Sequence, residues 1–234
     1  RQALEGDDYL HRMNFAIWAQ GKMADAPNFA QNIMWSDEAT FKNNGDVNRH
    51  NMRYWSIDNP HWLREVHHQR QWTLNTWCGV FDGKIIGPHF FDNNLNGELY
   101  DEFLNNEFLD LLRPVPIRTQ RNMWFMQDGC PAHYAVDVRM TLTAMFGENV
   151  IGRGCAVPWP ARSPDLTVMD YYLWGRIKDL VYRTAPTTRE DMKERIHQAC
   201  RQINEDEIRH AVNDFPHRLE MVLQEEGRHF EHLL

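Results

Sequence analysis

The sequence predicts an α/β fold, a mixed sheet flanked by helices. Three observations carry that expectation: alternating apolar residues at 33–41, a strand, turn and strand at 72–87, and helical spacing that dominates after residue 96, broken by two short strand candidates. The chain has 234 residues, 42% of them hydrophobic, which supplies one sizeable core and fits one compact domain.

Residues 1–30 read as helical, with Phe15, Trp18 and Met23 as apolar anchors and Pro27 as a stop. From Ile33, alternation puts Ile33, Trp35, Asp37, Ala39 and Phe41 on one face of a strand, and Asp37 is the odd member of that face. Asn43-Asn44-Gly45-Asp46 reads as a turn, Tyr54-Trp55 as a second strand, and 56–70 as a loop. A strand at 72–81 meets the hairpin turn Asp82-Gly83 and returns along 84–87. Helical spacing of Leu99, Phe103, Leu104, Phe108 and Leu111 predicts a helix from Asn96 to Leu112, ended by Pro114 and Pro116.

The second half begins with a short strand, Met123 to Met126, that delivers Asp128, followed by a helix over Ala132–Met145 and a strand at Val150-Ile151. A Pro-rich loop enters a helix near Thr167 whose inward stripe includes Leu173, Trp174, Ile177, Leu180 and Val181. Asp170 sits one turn before that stripe, where an unpaired carboxylate is costly. Thr187 or Thr188 caps a further helix with Glu190 and Asp191 in its first turn, and the remainder to Leu234 reads as mostly helical. The sequence holds no internal repeat and no low-complexity segment.

Charged residues make up 25% and aromatics 12%, a globular composition. No run of eighteen apolar residues and no signal peptide is present, so neither membrane spanning nor secretion is expected, and the Arg at position 1 reads as the start of an excised or processed piece. Cys78, Cys130, Cys155 and Cys200 are widely spaced, fit neither a zinc pattern nor a disulfide framework, and suit a reducing compartment. A net charge of −8 is the wrong sign for nucleic-acid binding by bulk attraction. A DNA partner then requires locally clustered basic residues, metal ions that offset the acids, or another segment.

Three carboxylates stand out: Asp37 on an apolar strand face, Asp128 at a strand end and Asp170 at a helix start. Strand ends and adjoining helix starts are where α/β folds collect ligand-handling groups. Acids brought together there repel and take up protons unless divalent cations join them, and oxygen-only ligation suits Mg²⁺ or Mn²⁺. Two such ions roughly 3.5–4 Å apart serve phosphoryl transfer.

Three motifs make the case sharper: Trp35-Ser-Asp37-Glu-Ala-Thr-Phe41, Gln127-Asp128-Gly-Cys-Pro-Ala-His133, and Trp159-Pro-Ala-Arg-Ser-Pro-Asp165-Leu-Thr-Val-Met-Asp170-Tyr-Tyr-Leu-Trp174. In this order, with Ile86-Gly-Pro-His-Phe-Phe91, Leu95-Asn-Gly97 and the stretch from Gly227 to Leu233, the chain resembles the catalytic domain of mariner-type DDE/DDD transposases over nearly its whole length. The resemblance implies a ribonuclease H-like fold over 31–234, with 1–30 a helical connector from an N-terminal DNA-binding region. It implies catalytic, metal-binding roles for Asp37, Asp128 and Asp170 with two Mg²⁺ or Mn²⁺ ions. The implied reaction is DNA strand cleavage at transposon ends, then strand transfer into target DNA, in the nucleus, with a homodimer pairing the inverted-repeat ends. The family's N-terminal helix-turn-helix pair has no counterpart in this sequence, in keeping with the acidic charge. A second reading is a host-recruited transposase remnant that binds DNA or protein without cutting, and a third is a ribonuclease on the same fold.

Each residue also has a plainer reading. Asp37 suits a buried aspartate bonded to backbone amides, Asp128 a turn residue before Gly129, and Asp170 a first-turn acid complementing a helix dipole. Asp165 reads as a cap for the next helix rather than as a ligand. His133 either positions the second acid, touches a phosphate, or makes a structural hydrogen bond. His229 with His232, and His67-His68, lack the companions a zinc site needs.

Overall fold

The computed structural model describes residues 3–43 and 72–233. The turn at 44–46, the strand at Tyr54-Trp55 and the pair His67-His68 lie outside the described residues. Helix α1 spans Asp8–Asp25 and a 3-10 turn, Phe29–Asn32, leads into strand β1, Ile33–Lys42. Strands β2 (Thr73–Phe81) and β3 (Lys84–Phe91) form the expected hairpin, with both turn residues Asp82 and Gly83 at positive φ. Helices α2 (Gly97–Asn105), α3 (Glu107–Leu111) and α4 (Ile117–Gln120) precede strand β4, Trp124–Met126. Helix α5 (Val136–Phe146) and strand β5 (Val150–Ile151) follow, then α6 (Trp174–Val181), α7 (Arg189–Gln202), α8 (Glu205–Asn213) and α9 (Phe215–Gln224).

The sheet has five strands in the order β3-β2-β1-β4-β5. β1 pairs antiparallel with β2 and parallel with β4, which pairs parallel with β5, so the sheet is mixed. Successive side chains on a strand face opposite ways, and β1 uses both faces. Ile33, Trp35, Ala39 and Phe41 join Leu74, Cys78, Met126 and residues of α1 and α6–α9 in one apolar core. Met34 joins Trp77, Phe81, Phe125 and residues of α2, α3 and α5 in the other. The alternation that marked Asp37 as out of place is therefore real: it lies on the first face, between Trp35 and Ala39.

Three local expectations are corrected. The helix predicted over 96–112 breaks at Asn106, whose side-chain amide donates to the Glu102 carbonyl at 3.0 Å, a local bond that competes with helix continuation. The break lets α3 turn Phe108 inward, edge-on to Trp77 and Phe125. Helix α5 starts at Val136 instead of Ala132, because residues 131–134 form turns around Asp128, which accepts from the Cys130 amide at 2.9 Å. The helix expected near Thr167 opens with a π turn, Met169–Leu173, in which the Trp174 amide donates to the Met169 carbonyl. The Thr188 cap holds as read, its hydroxyl accepting from the Asp191 amide at 3.0 Å.

Helix α1 packs against α9 and reaches the C-terminal segment, where Gly227, at φ +83°, approaches so closely that a Cβ would collide with the Tyr9 carbonyl. Only glycine suits both the left-handed backbone and the missing space.

Candidate active site

Parallel pairing sets Trp35 of β1 opposite Met126 of β4. Asp37 stands two residues beyond Trp35 within β1, and Asp128 two residues beyond Met126, just past the end of β4. The Gln127 amide, bonded to the Ile151 carbonyl at 3.0 Å, keeps the chain against β5 as it leaves the sheet, so Asp128 emerges at the sheet's end. Asp170 arrives on the π turn, a form frequent at functional sites. Burial, then the charges of Asp170, Glu38 and Asp128, push the Asp37 carboxyl well above the ordinary carboxylate range. Burial and the Asp128 charge raise Asp170 to about 7. The fold thus brings the three acids, drawn from three separate parts of the chain, into one another's field.

Two residues of α6 complete this side. The Trp174 indole donates to Asp37 Oδ2 at 2.8 Å and fixes that carboxylate's orientation. Lys178, one turn on, is half-buried, which lowers its pKa, while the charges of Asp170 and Asp37 oppose the fall. Neither role was read from the sequence, where Trp174 counted only as apolar stripe; an indole and an ammonium one turn apart, both near a suspect Asp, were the available signal.

On the other side His133 is buried and lies between two carboxylates. Its Nδ1 is 2.7 Å from Asp128 Oδ1 and its Nε2 is 3.1 Å from Glu38 Oε2. Burial alone lowers a histidine pKa, but the charges and hydrogen bonds of Glu38 and Asp128 outweigh it and hold the ring well above its usual value. The imidazolium then donates both protons, one to each acid. Burial pushes Asp128 up, yet the His133 bond and charge, with the Cys130 amide, keep it below the usual range. Asp128 is consequently the acid that stays ionised, whereas Asp37 and Asp170 are driven towards protonation. Glu38, on the strand face opposite Asp37, was missed because its partner lies 95 residues away.

Asp165 is not a cap. It is fully buried and its two oxygens accept from Arg12 Nη1 and Nη2 at 2.7 and 2.6 Å. Burial raises its pKa, but bonds from His229, at 3.3 Å, and Arg12 more than offset this and hold it low. Ser163, which accepts from the same guanidinium at 2.8 Å, ties the loop before Asp170 to α1. His229 is thereby engaged with Asp165.

The donor set of Asp37, Asp128 and Asp170 is all oxygen, the kind that suits hard divalent cations, and burial with mutual repulsion pushes two of the three towards holding protons. Among the described residues, the group whose ligand atoms lie within 4.8 Å of one another is Asp128, Cys130 and His133, not the three acids. That group suits a metal poorly, since both ring nitrogens of His133 already face carboxylates.

The mixed five-stranded sheet flanked by helices is a ribonuclease H-like fold. Its architecture is that of the catalytic domain of Mos1 mariner transposase. The isolated Mos1 catalytic domain, solved with raltegravir and Mn, superposes with a TM-score of 0.76 at 18% identity, over 99% of this chain and 100% of that one. The Mos1 paired-end complex with the left transposon end gives 0.79 at 18% identity, and the paired-end complex with Mg gives 0.76 at 21%. The chain spans 65% of the length of the transposase in each of these complexes. No protein-family model matches the chain, and no curated protein matches it.

Proposed function

We propose that this chain is the catalytic part of a mariner-type transposase, which cuts DNA strands at transposon ends and joins the freed 3′-hydroxyl to target DNA. The observation that carries the reading is the mutual electrostatic influence of Asp37 in the middle of β1, Asp128 just past the end of β4, and Asp170 on the π turn. These three carboxylates would hold two Mg²⁺ or Mn²⁺ ions, and such a pair supplies activation of the attacking oxygen and stabilisation of the leaving one. The solved Mos1 catalytic domain contains Mn or Mg, and other Mos1 structures contain transposon ends, which supports both the ions and the DNA substrate.

The protein's own groups prepare the site. Trp174 orients Asp37, and His133 orients Asp128 and keeps it ionised. Lys178 offsets charge on the opposite flank. We assign residues 31–234 as the catalytic unit and 1–30 as the connector from a region that reads the DNA ends, with a homodimer pairing those ends in the nucleus.

A nicking assay on plasmid DNA with Mg²⁺ or Mn²⁺ tests the reading. Cutting by the wild type and its loss in Asp128→Ala, with the fold kept by circular dichroism, is the expected result. A fully active Asp128→Ala removes that residue from the mechanism. A wild type that neither cuts nor binds Mn²⁺ by calorimetry favours the non-cutting, host-recruited alternative.

A further inference from the structure

Next to Asp128 the surface changes sign. Tyr134, exposed and immediately after His133, has two guanidinium groups at its ring: the Arg139 Cζ is 4.8 Å and the Arg153 Cζ 4.6 Å from the ring centroid. Arg139 comes from the first turns of α5 and Arg153 from the turn after β5. The turn is shaped for this approach, since a Cβ on Gly154, at φ +72°, would sit 2.7 Å from the Tyr134 ring and 3.2 Å from Arg139 Nη1. Arg153 also lies against Gly129, where an added Cβ would be 3.6 Å from its Cδ, which places it over the residue that follows Asp128.

Two cations collected at one ring repel each other, and the ring's negative face offsets only part of that cost. In a folded chain such a pair is ordinarily balanced by a carboxylate. Among the described residues, neither guanidinium has one within ion-pair distance; Arg139 has a long bond of 3.4 Å to the Gly154 carbonyl, and its Nε is buried without a hydrogen-bond partner. A concentrated positive charge with no counterion among the described residues, in a chain of net charge −8, is complementary to an anion from outside. The guanidinium's planar fork matches a phosphate, and an exposed aromatic ring beside it suits a nucleotide.

We propose that Tyr134, Arg139 and Arg153 form a phosphodiester-binding subsite that holds a DNA strand beside Asp128. This deepens the transposase reading and rests on it. The subsite fixes the strand's track at the acids: Arg153 takes a backbone phosphate next to Gly129, Arg139 adds charge, and Tyr134 keeps the two guanidiniums together. It supplies local positive charge that the composition as a whole lacks.

Fluorescence anisotropy of the intact 234-residue chain on a short labelled DNA duplex, with Ca²⁺ in place of Mg²⁺ and a salt series, tests the subsite. Arg153→Gln is expected to weaken binding roughly tenfold at low salt and to reduce the salt slope by about one, with Tm unchanged because the side chain is exposed. Arg153→Lys is expected to restore the slope but not all of the affinity, because the charge returns without the fork. Tyr134→Leu is expected to act through both arginines and to reduce slope and affinity together. If the arginine variants bind and salt-titrate as the wild type does, while the wild type nicks DNA, the subsite is overturned and the transposase reading stands. If the wild type neither binds nor nicks DNA, both fall. A drop in Tm without a change in salt slope would also overturn it, since that is the mark of a ring that merely glues α5 to the β5 turn.

Discussion

The indole of Trp174 donates to Asp37 Oδ2 at 2.8 Å across 137 residues of sequence. A carboxylate on an apolar strand face is held in one orientation by the first residue of α6. Trp174→Phe keeps most of the buried ring and deletes only the donor. It is expected to lower divalent-metal affinity or nicking rate about 10- to 100-fold, as removal of a ligand's supporting partner does, with little loss of Tm. Calorimetric Mn²⁺ titration alongside thermal melts reads both quantities.

His133 makes the corresponding contact to Asp128 and adds Glu38. Replacing it with Gln leaves a neutral side chain that cannot donate two charged bonds. The Asp128 carboxyl should lose its depression and nicking should fall about 10- to 100-fold. Removal of Glu38 alone, as Glu38→Gln, should have the smaller effect, because Asp128 keeps its bond to the ring. Equal losses in the two variants would show that the pair acts as one unit.

Asp170 permits a test by pH. Its folded pKa, about 7, lies above an unfolded carboxylate's roughly 3.9, so the folded state binds this proton more tightly. The resulting stability is full below the unfolded value, declines between about 4 and 7, and is gone above 7. Asp170→Asn in EDTA is therefore expected to raise Tm at pH 8 by several degrees and to change it little at pH 4. With Mn²⁺ the order should reverse at pH 8, as the wild type gains from the ion and the variant gains less. Scanning calorimetry at both pH values, with and without metal, checks the crossing.

Asp165 has the opposite sign. Its folded pKa is held below the unfolded value, so the stability it confers is present above about pH 4 and is lost as pH falls through the folded value. Arg12→Met should cost about 3–5 kcal/mol, because it strands a buried carboxylate, and Arg12→Met with Asp165→Leu should recover much of that. Urea midpoints across pH 2–7 separate these cases, and the double variant should show the shallower acid limb.

How much of this was legible in sequence depended on the distance over which each signal acted. Alternation along β1 exposed Asp37 as an anomaly because strand period and burial are local properties. The hairpin at Asp82-Gly83 and the Thr188 cap were legible for the same reason. The break at Asn106 was not, since the apolar spacing runs straight through it and only an Asn side chain turning back on Glu102 ends the helix. Asp165 was misread as a cap because its partner, Arg12, is 153 residues away. The convergence of the three acids likewise depends on parallel pairing of β1 with β4, which no window of sequence contains.

Gly227 closes against the Tyr9 carbonyl, and its own carbonyl accepts from Arg12 Nε at 2.7 Å. The opening helix therefore has no finished seat until residue 227 has been synthesised. On a ribosome Phe15 and Trp18 can meet Trp159, Phe29 and Trp124 as those residues emerge, but the seat of Tyr9 and Arg12 is completed only near the end of this domain's translation. Shortening the C-terminal segment should release the N-terminal helix as well, and limited proteolysis near residue 20 would be the place to see it.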